Sequence, residues 1–127
     1  MALSNVDIVL ANSEAFNRRD AEGMLELWAP DATMADRRAV GWGEYSGSEA
    51  LRSYYQGLFD NVATVHEDLS VVSAEGDVVI VTCHTRVQLA DDPDGEMTFD
   101  YTMRITLSDG LIASLEIFED VDAAGGA

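Results

Sequence analysis

The chain contains no lysine: its seven basic residues are all arginine, set against 24 acids, for a net charge of −17 over 127 residues. A surface so short of cations cannot track a phosphate backbone, which excludes nucleic acid as a partner. The excess of acid reads as a solvated surface. Cysteine is almost absent as well, and the single Cys83 excludes an internal disulfide framework or a paired-cysteine metal or redox motif. It reads as a core thiol. The longest apolar run, Val78 to Val81, has four residues, and the opening MALSNVD has no basic stretch leading into an apolar one. Neither a membrane span nor a signal peptide is expected, and the reading is a soluble, cytoplasmic protein.

What is present is a 47% hydrophobic chain of a length that fits one domain. Residues 1–120 are expected to form it, with the Ala- and Gly-rich 121–127 as a mobile tail. Apolar residues at helical spacing predict a first helix over Asn5 to Arg18, with Ser4 or Asn5 as its cap. A second helix starts after Asp20, carries Met24, Leu25, Leu27 and Trp28 on one side, and is expected to end near Ala29 because Pro30 forbids continuation. A third, Ser48 to Asn61, places Leu51, Tyr54, Tyr55, Leu58 and Phe59 on its apolar side. Four strands follow, Asp68 to Ala74, Val78 to Leu89, Met97 to Leu107 and Leu111 to Glu119, separated by the turn signals EGD, DDPDG and SDG. Hairpin-length links predict an antiparallel meander in sequence order. Strands of 11 and 12 residues suit a strongly curved sheet with the three helices in its concavity, an α+β fold.

One stretch organises the chain, WAPDATMADRRAVGWGEYSGSEALRSYY from Trp28 to Tyr55. Its strand, Ala32 to Arg38, ends in Asp36, Arg37 and Arg38, where a simple core strand would stay apolar. A carboxylate there and the phenols of Tyr54 and Tyr55 are able to converge on one cavity. Asn12, one turn from Phe16, is a candidate donor to that cavity; Trp28 and Trp42 are candidate aromatic walls. The GWGEYSG glycines match no phosphate-binding motif, and DDPDGE lacks calcium-loop spacing. No metal site is expected. On the strands, Tyr101 and Met103 fall on the core-facing side with Phe99, Ile105 and Leu107. His84 and Arg86 share a polar face with Thr82 and Gln88 that either meets water or lines the cavity. In the last strand Leu115, Ile117 and Glu119 alternate with Ile112 and Phe118, and the latter pair suggests a surface for a homodimer.

The LWAPDATMAD block and GSEALRSYYQGL resemble the NTF2-like superfamily, and within it the SnoaL-like and ketosteroid-isomerase-like domains. The resemblance spans nearly the whole chain and implies a cone-shaped, curved antiparallel sheet wrapped around three N-terminal helices. It puts the isomerases' proton-shuttling Asp on Asp36 and their supporting tyrosine on Tyr55. Their oxyanion-hole positions fall instead on Asn12 and on Tyr101 or Met103. Relatives that open epoxides use an Arg, for which Arg86 stands, and two acids whose places hold Gln88 and Ile117, so epoxide hydrolysis is disfavoured. An acid used by aldol cyclases likewise falls on Ile117.

The function expected is cofactor-independent proton abstraction next to the carbonyl of a small apolar molecule, isomerase or polyketide-cyclase in type. Asp36 is the base, with Tyr55, Tyr101 or Asn12 as donors to the enolate oxygen. The competing reading is a non-catalytic ligand-binding or dimerisation domain in which Asp36 pairs with Arg37, Arg38 or Arg86.

Overall fold

The computed structural model describes residues 4–39 and 43–125. Helix α1 (Asn5–Asn17) opens on a reciprocal cap: the Ser4 hydroxyl accepts from the Asp7 amide at 3.1 Å, and the Asp7 carboxylate accepts from the Ser4 amide at 3.3 Å. Arg19, in the left-handed region at φ 57°, turns the chain into α2 (Ala21–Leu25), capped by Asp20 onto the Gly23 amide. A side chain at position 23 would run into that capping carboxylate, 2.4 Å from the place of its Cβ. Helix α2 is shorter than its apolar pattern predicts. Trp28 and Ala29 already belong to β1 (Trp28–Asp36), because the residue before Pro30 favours extended backbone and Trp28 finds a partner in Ile112.

A short β2 (Gly43–Ser46) pairs antiparallel with β1, and α3 (Ser48–Asp60) follows. The chain then enters β3 (Val62–Glu75) directly, six residues earlier than the alternation suggested. The hairpins to β4 (Val78–Leu89), β5 (Asp92–Ser108) and β6 (Leu111–Phe118) complete a sheet of order β2-β1-β6-β5-β4-β3. The predicted meander is present. The DDPDG segment contributes only its start to the turn, since Asp92 already pairs with Leu89. Asp109 and Gly110, both at positive φ, close the β5–β6 hairpin as a two-residue turn needs. Strand β1 runs parallel to β6, from Trp28 opposite Ile112 to Asp36 opposite Ile117.

The three helices lie on one face of this curved, unclosed sheet. Between them and the sheet pack Ile8, Val9, Met24, Leu51, Val79, Val81, Met103, Ile105, Leu107, Ile112 and Leu115. Ile112 corrects the sequence reading. A register shift between Thr106 and Leu107 reverses the alternation there, so Ile112 is a fully buried core residue rather than part of an outer surface. The chain after β6 turns back on the sheet through Asp120–Gly125. Ala124 is 1% exposed, and its carbonyl accepts from Arg104 at 3.4 Å. Of the segment expected as a mobile tail, Ala124 is buried against the sheet, while Asp122, Ala123 and Gly125 are exposed. Among the described residues no helix is long and apolar enough to cross a membrane.

Candidate functional site

Strand parity decides which polar groups enter the helix-covered face. On β3, Val65, Glu67 and Leu69 point inward; on β4 their partners Val87, Thr85 and Cys83 do the same, and on β5 Tyr101 and Met103 follow. At the end of β1, Met34 and Asp36 stand beside Leu115 and Ile117 of β6. Four of these inward groups, Glu67, Thr85, Tyr101 and Asp36, are polar, and each has a hydrogen-bond partner.

Asp36 has no exposed side-chain surface. Both of its oxygens accept from the guanidinium of Arg38, Nε to Oδ1 at 2.9 Å and Nη2 to Oδ2 at 2.8 Å, and Oδ1 also accepts from the Arg38 amide. This is the bidentate fork that arginine makes with carboxylates. The hydrogen bonds that Arg38 donates to Asp36 push the Arg38 pKa up, against the cost of its partial burial. The Arg38 guanidinium carbon also lies 5.2 Å from the centre of the Tyr101 ring, a cation–π contact.

The Tyr101 hydroxyl is 2.6 Å from Glu67 Oε2 and 2.8 Å from Thr85 Oγ1. The other oxygen of Glu67 accepts from Ser13 of α1 at 3.0 Å. Burial raises the Glu67 pKa, with the hydrogen bonds from Tyr101 and Ser13 working in the opposite direction. Burial likewise lifts the Tyr101 phenol well above its ordinary range, and the nearby Glu67 charge adds to the effect. One connected group thus runs from Ser13 through Glu67, Tyr101 and Arg38 to Asp36.

The remaining predicted residues divide into three sets. Asn12 is buried and accepts from the Trp28 indole at 2.8 Å, which satisfies two core polar groups at once. Phe16, Trp28 and Tyr55 form an edge-to-face aromatic cluster with Tyr54 and Phe59. The Tyr55 hydroxyl meets the Met34 sulfur at 3.4 Å, and burial raises its pKa far above the ordinary value. The phenol that senses Asp36 is Tyr54, raised to about 12 mainly by burial and then by the Asp36 charge. Met103, Leu115 and Ile117 are inner-face core.

His84, Arg86 and Glu119 are exposed and do not join this group. His84 and Arg86 stand on the opposite face of β4, where His84 Nδ1 lies 2.7 Å from Asp100 Oδ1. Glu119, just past β6, accepts from the Ala39 amide. A cleft of about 360 Å³ is lined by Asp68, Thr82, His84, Asp100, Tyr101 and Glu119 among others, and Asp36 is not part of its lining. Trp42 lies outside the described residues. No cluster of His, Cys, Asp or Glu among the described residues is arranged to hold a metal ion.

Sequence reasoning missed Glu67, Ser13 and Thr85, and gave Arg38 only as one of three ion-pair options. The signal for Glu67 was available in VHEDL, where Glu67 is in phase with Val65 and Leu69.

Helices on one side of a curved six-stranded sheet, with a polar group buried at the end of its first strand, define an NTF2-like fold. The SnoaL-like domain matches residues 9–115, and the chain belongs to that family. An NTF2-like protein of unknown function from Burkholderia pseudomallei shares 20% identity over 96% of this chain and 95% of its own, with a TM-score of 0.78. TerC, co-crystallised with polyporic acid, shares 21% over 95% of each chain, with a TM-score of 0.76. SalBIII, an epoxide hydrolase/cyclase-like enzyme in pyran ring formation of the polyether salinomycin, shares 23% over 93% of this chain and 92% of its own, with a TM-score of 0.77. A search of curated proteins finds no match to this chain.

Proposed function

We propose that the chain is a cofactor-independent enzyme that moves a proton next to the carbonyl of a small apolar molecule, isomerase or cyclase in type, with Asp36 as the base. The observation that carries this reading is the buried Asp36 carboxylate, held by Arg38, whose guanidinium lies over the face of the Tyr101 ring. In the resting site the guanidinium occupies both carboxylate oxygens. A substrate carbonyl oxygen that enters beside Arg38 competes for those donors and releases one Asp36 oxygen to accept a proton. The substrate C–H bond then breaks towards Asp36, and its electron pair moves into the carbonyl to make an enolate. Arg38 and the Tyr101 hydroxyl stabilise that oxygen. Return of the proton from Asp36 to a different carbon completes an isomerisation with no redox change. A cyclisation differs only in that the enolate carbon attacks a second carbonyl of the same molecule, whose oxygen takes the proton.

The test is Asp36→Asn, which keeps the shape and removes the proton affinity. Exchange of ketone α-hydrogens for deuterium, followed by NMR over a panel of ketones, is expected to fall about 10²-fold or more, the scale of a positioned base. Full activity of the variant on any ketone the wild type turns over sinks the assignment.

The bidentate geometry of the Asp36–Arg38 pair also favours a second reading, a ligand-binding or dimerising domain in which the pair is structural. On that reading Asp36→Asn lowers the melting temperature and leaves binding of a phenolate probe unchanged. A homodimer belongs to both readings. Its surface would be the outer face of the late strands, where Phe118 is half-buried against Arg104. Sedimentation equilibrium that shows a monomer at micromolar concentration rules it out.

A further inference from the structure

We propose that Glu67 is a positioning residue that acts through Tyr101: it decides whether the phenolic proton is committed to the Glu67 carboxylate or is released to donate to the oxygen of a bound ligand. The inference rests on the reading of Tyr101 as a donor at the acid–base site.

A phenol has one proton to donate and two lone pairs to accept with, whereas an ionised carboxylate only accepts. The Tyr101 oxygen is hydrogen-bonded to Glu67 Oε2 at 2.6 Å and to Thr85 Oγ1 at 2.8 Å. While Glu67 is ionised, the Tyr101 proton is committed to it and Thr85 donates to the phenol oxygen, so Tyr101 offers a ligand only a lone pair. Once Glu67 takes up a proton, its own O–H donates to the phenol oxygen. The phenolic proton is then free to turn towards an enolate or phenolate oxygen.

The backbone fixes this geometry. Glu67 is paired with Thr85 in the β3–β4 register, and the Asn17 side chain grips its amide at 2.7 Å and its carbonyl at 3.1 Å. The groups facing the carboxyl are Ser13 from α1, Tyr55 from α3, Thr85 and Cys83 from β4, and Tyr101 from β5; Arg38 reaches the far side of the Tyr101 ring. Burial shifts the Glu67 transition upward, towards the pH at which enzymes work.

The experiment uses the full chain labelled with ¹³Cζ-tyrosine, the Tyr101 resonance being assigned with Tyr101→Phe, over about pH 4 to about pH 9, a span that covers ordinary and raised carboxyl values. In the wild type the Tyr101 signal is expected to shift with a midpoint above the usual glutamate range, and in Glu67→Gln to lose that transition. Binding of pentafluorophenolate, expressed per concentration of the anion, is expected to be about 10-fold tighter on the acid side, as befits one charge-assisted hydrogen bond gained. That pH dependence should vanish in Tyr101→Phe. A wild-type Tyr101 resonance that stays flat, or a transition that persists unmoved in Glu67→Gln, overturns the proposal. Should Glu67→Gln not fold, Glu67→Asp withdraws the carboxyl from the phenol, and an unmoved midpoint there is equally decisive. A Tyr101 transition in a protein that binds no phenolate removes the acid–base reading while the link from Glu67 to Tyr101 stands; a flat resonance in a protein that binds phenolate does the reverse.

Discussion

Two carboxyl groups are buried on the same face of the sheet, on opposite sides of Tyr101, and the fold treats them differently. Asp36 is bound through both oxygens to a guanidinium, a full countercharge in bidentate geometry. Glu67 meets hydroxyls, those of Ser13 and Tyr101, which offer hydrogen bonds without charge. A buried anion beside a cation is compensated, whereas one among neutral donors is penalised by desolvation and tends to take up a proton instead. The difference assigns them separate work: Asp36 is poised to exchange its partner for a substrate, and Glu67 to exchange its proton.

The largest effect expected from breaking this contrast is on the charged side. Arg38→Met removes the guanidinium that both Asp36 oxygens accept from and should destabilise the protein by about 3 kcal/mol, the lower end for breaking a buried pair because Arg38 keeps 18% of its side chain exposed. Chemical denaturation reads this directly. The double variant Asp36→Leu with Arg38→Met should regain much of the loss, since replacing both partners by apolar groups is often close to neutral. A single Arg38→Met protein as stable as wild type would mean that the pair carries no structural weight.

Glu67→Gln should change stability by a smaller amount, about 1 kcal/mol, and by an amount that depends on pH. Because the folded pKa of Glu67 is raised, the folded state holds more protons than the unfolded one between the ordinary glutamate value and the raised one. Wild-type stability from this group is therefore fully present below the unfolded pKa and is lost as pH rises through the folded pKa. A glutamine carries no such linkage. The variant should gain on the wild type as pH rises across that window, and thermal melts at several pH values check the slope. A constant difference at all pH values would show that Glu67 titrates alike in the folded and the unfolded chain.

The sequence carried most of the framework because alternation and turn signals act locally. Val78 to Leu89 was legible to the residue, as was the meander; the cap of α1 was narrowed to Ser4 or Asn5, of which Ser4 takes it, and the resemblance carried by LWAPDATMAD pointed to the family that matches. What was illegible depends on contacts distant in the chain. Trp28 looked helical because its apolar neighbours have helical spacing, yet it pairs with Ile112, 84 positions further on, and places its indole on Asn12. Ile112 looked outward because a bulge between Thr106 and Leu107 leaves no mark in the alternation. Glu67 was passed over because β3 was begun one residue after it. The partner of Asp36 was open among three arginines, and only the turn after β1 selects Arg38.

The smallest effect is expected at Tyr55, which sharpens the comparison by testing whether a third group belongs to it. The resemblance assigns Tyr55 a supporting role at the base, but its hydroxyl faces the Met34 sulfur at 3.4 Å and its ring is locked among Phe16, Trp28, Tyr54 and Phe59. A sulfur is a weak acceptor, and phenylalanine keeps every ring contact. Tyr55→Phe should therefore cost less than about 1 kcal/mol of stability, the scale of one modest hydrogen bond. Its ketone exchange rate should stay within about threefold of wild type, far from the roughly 10²-fold loss that marks a group engaged in proton transfer. Tyr54→Phe is the informative partner, because Tyr54 is the phenol whose pKa responds to the Asp36 charge. If Tyr55→Phe instead loses activity as severely as Asp36→Asn while Tyr54→Phe does not, the Tyr55 hydroxyl must leave Met34 and reach the reacting atoms during turnover. The acid–base site would then extend into the aromatic cluster, and Tyr101 would no longer be the phenol that serves the enolate oxygen.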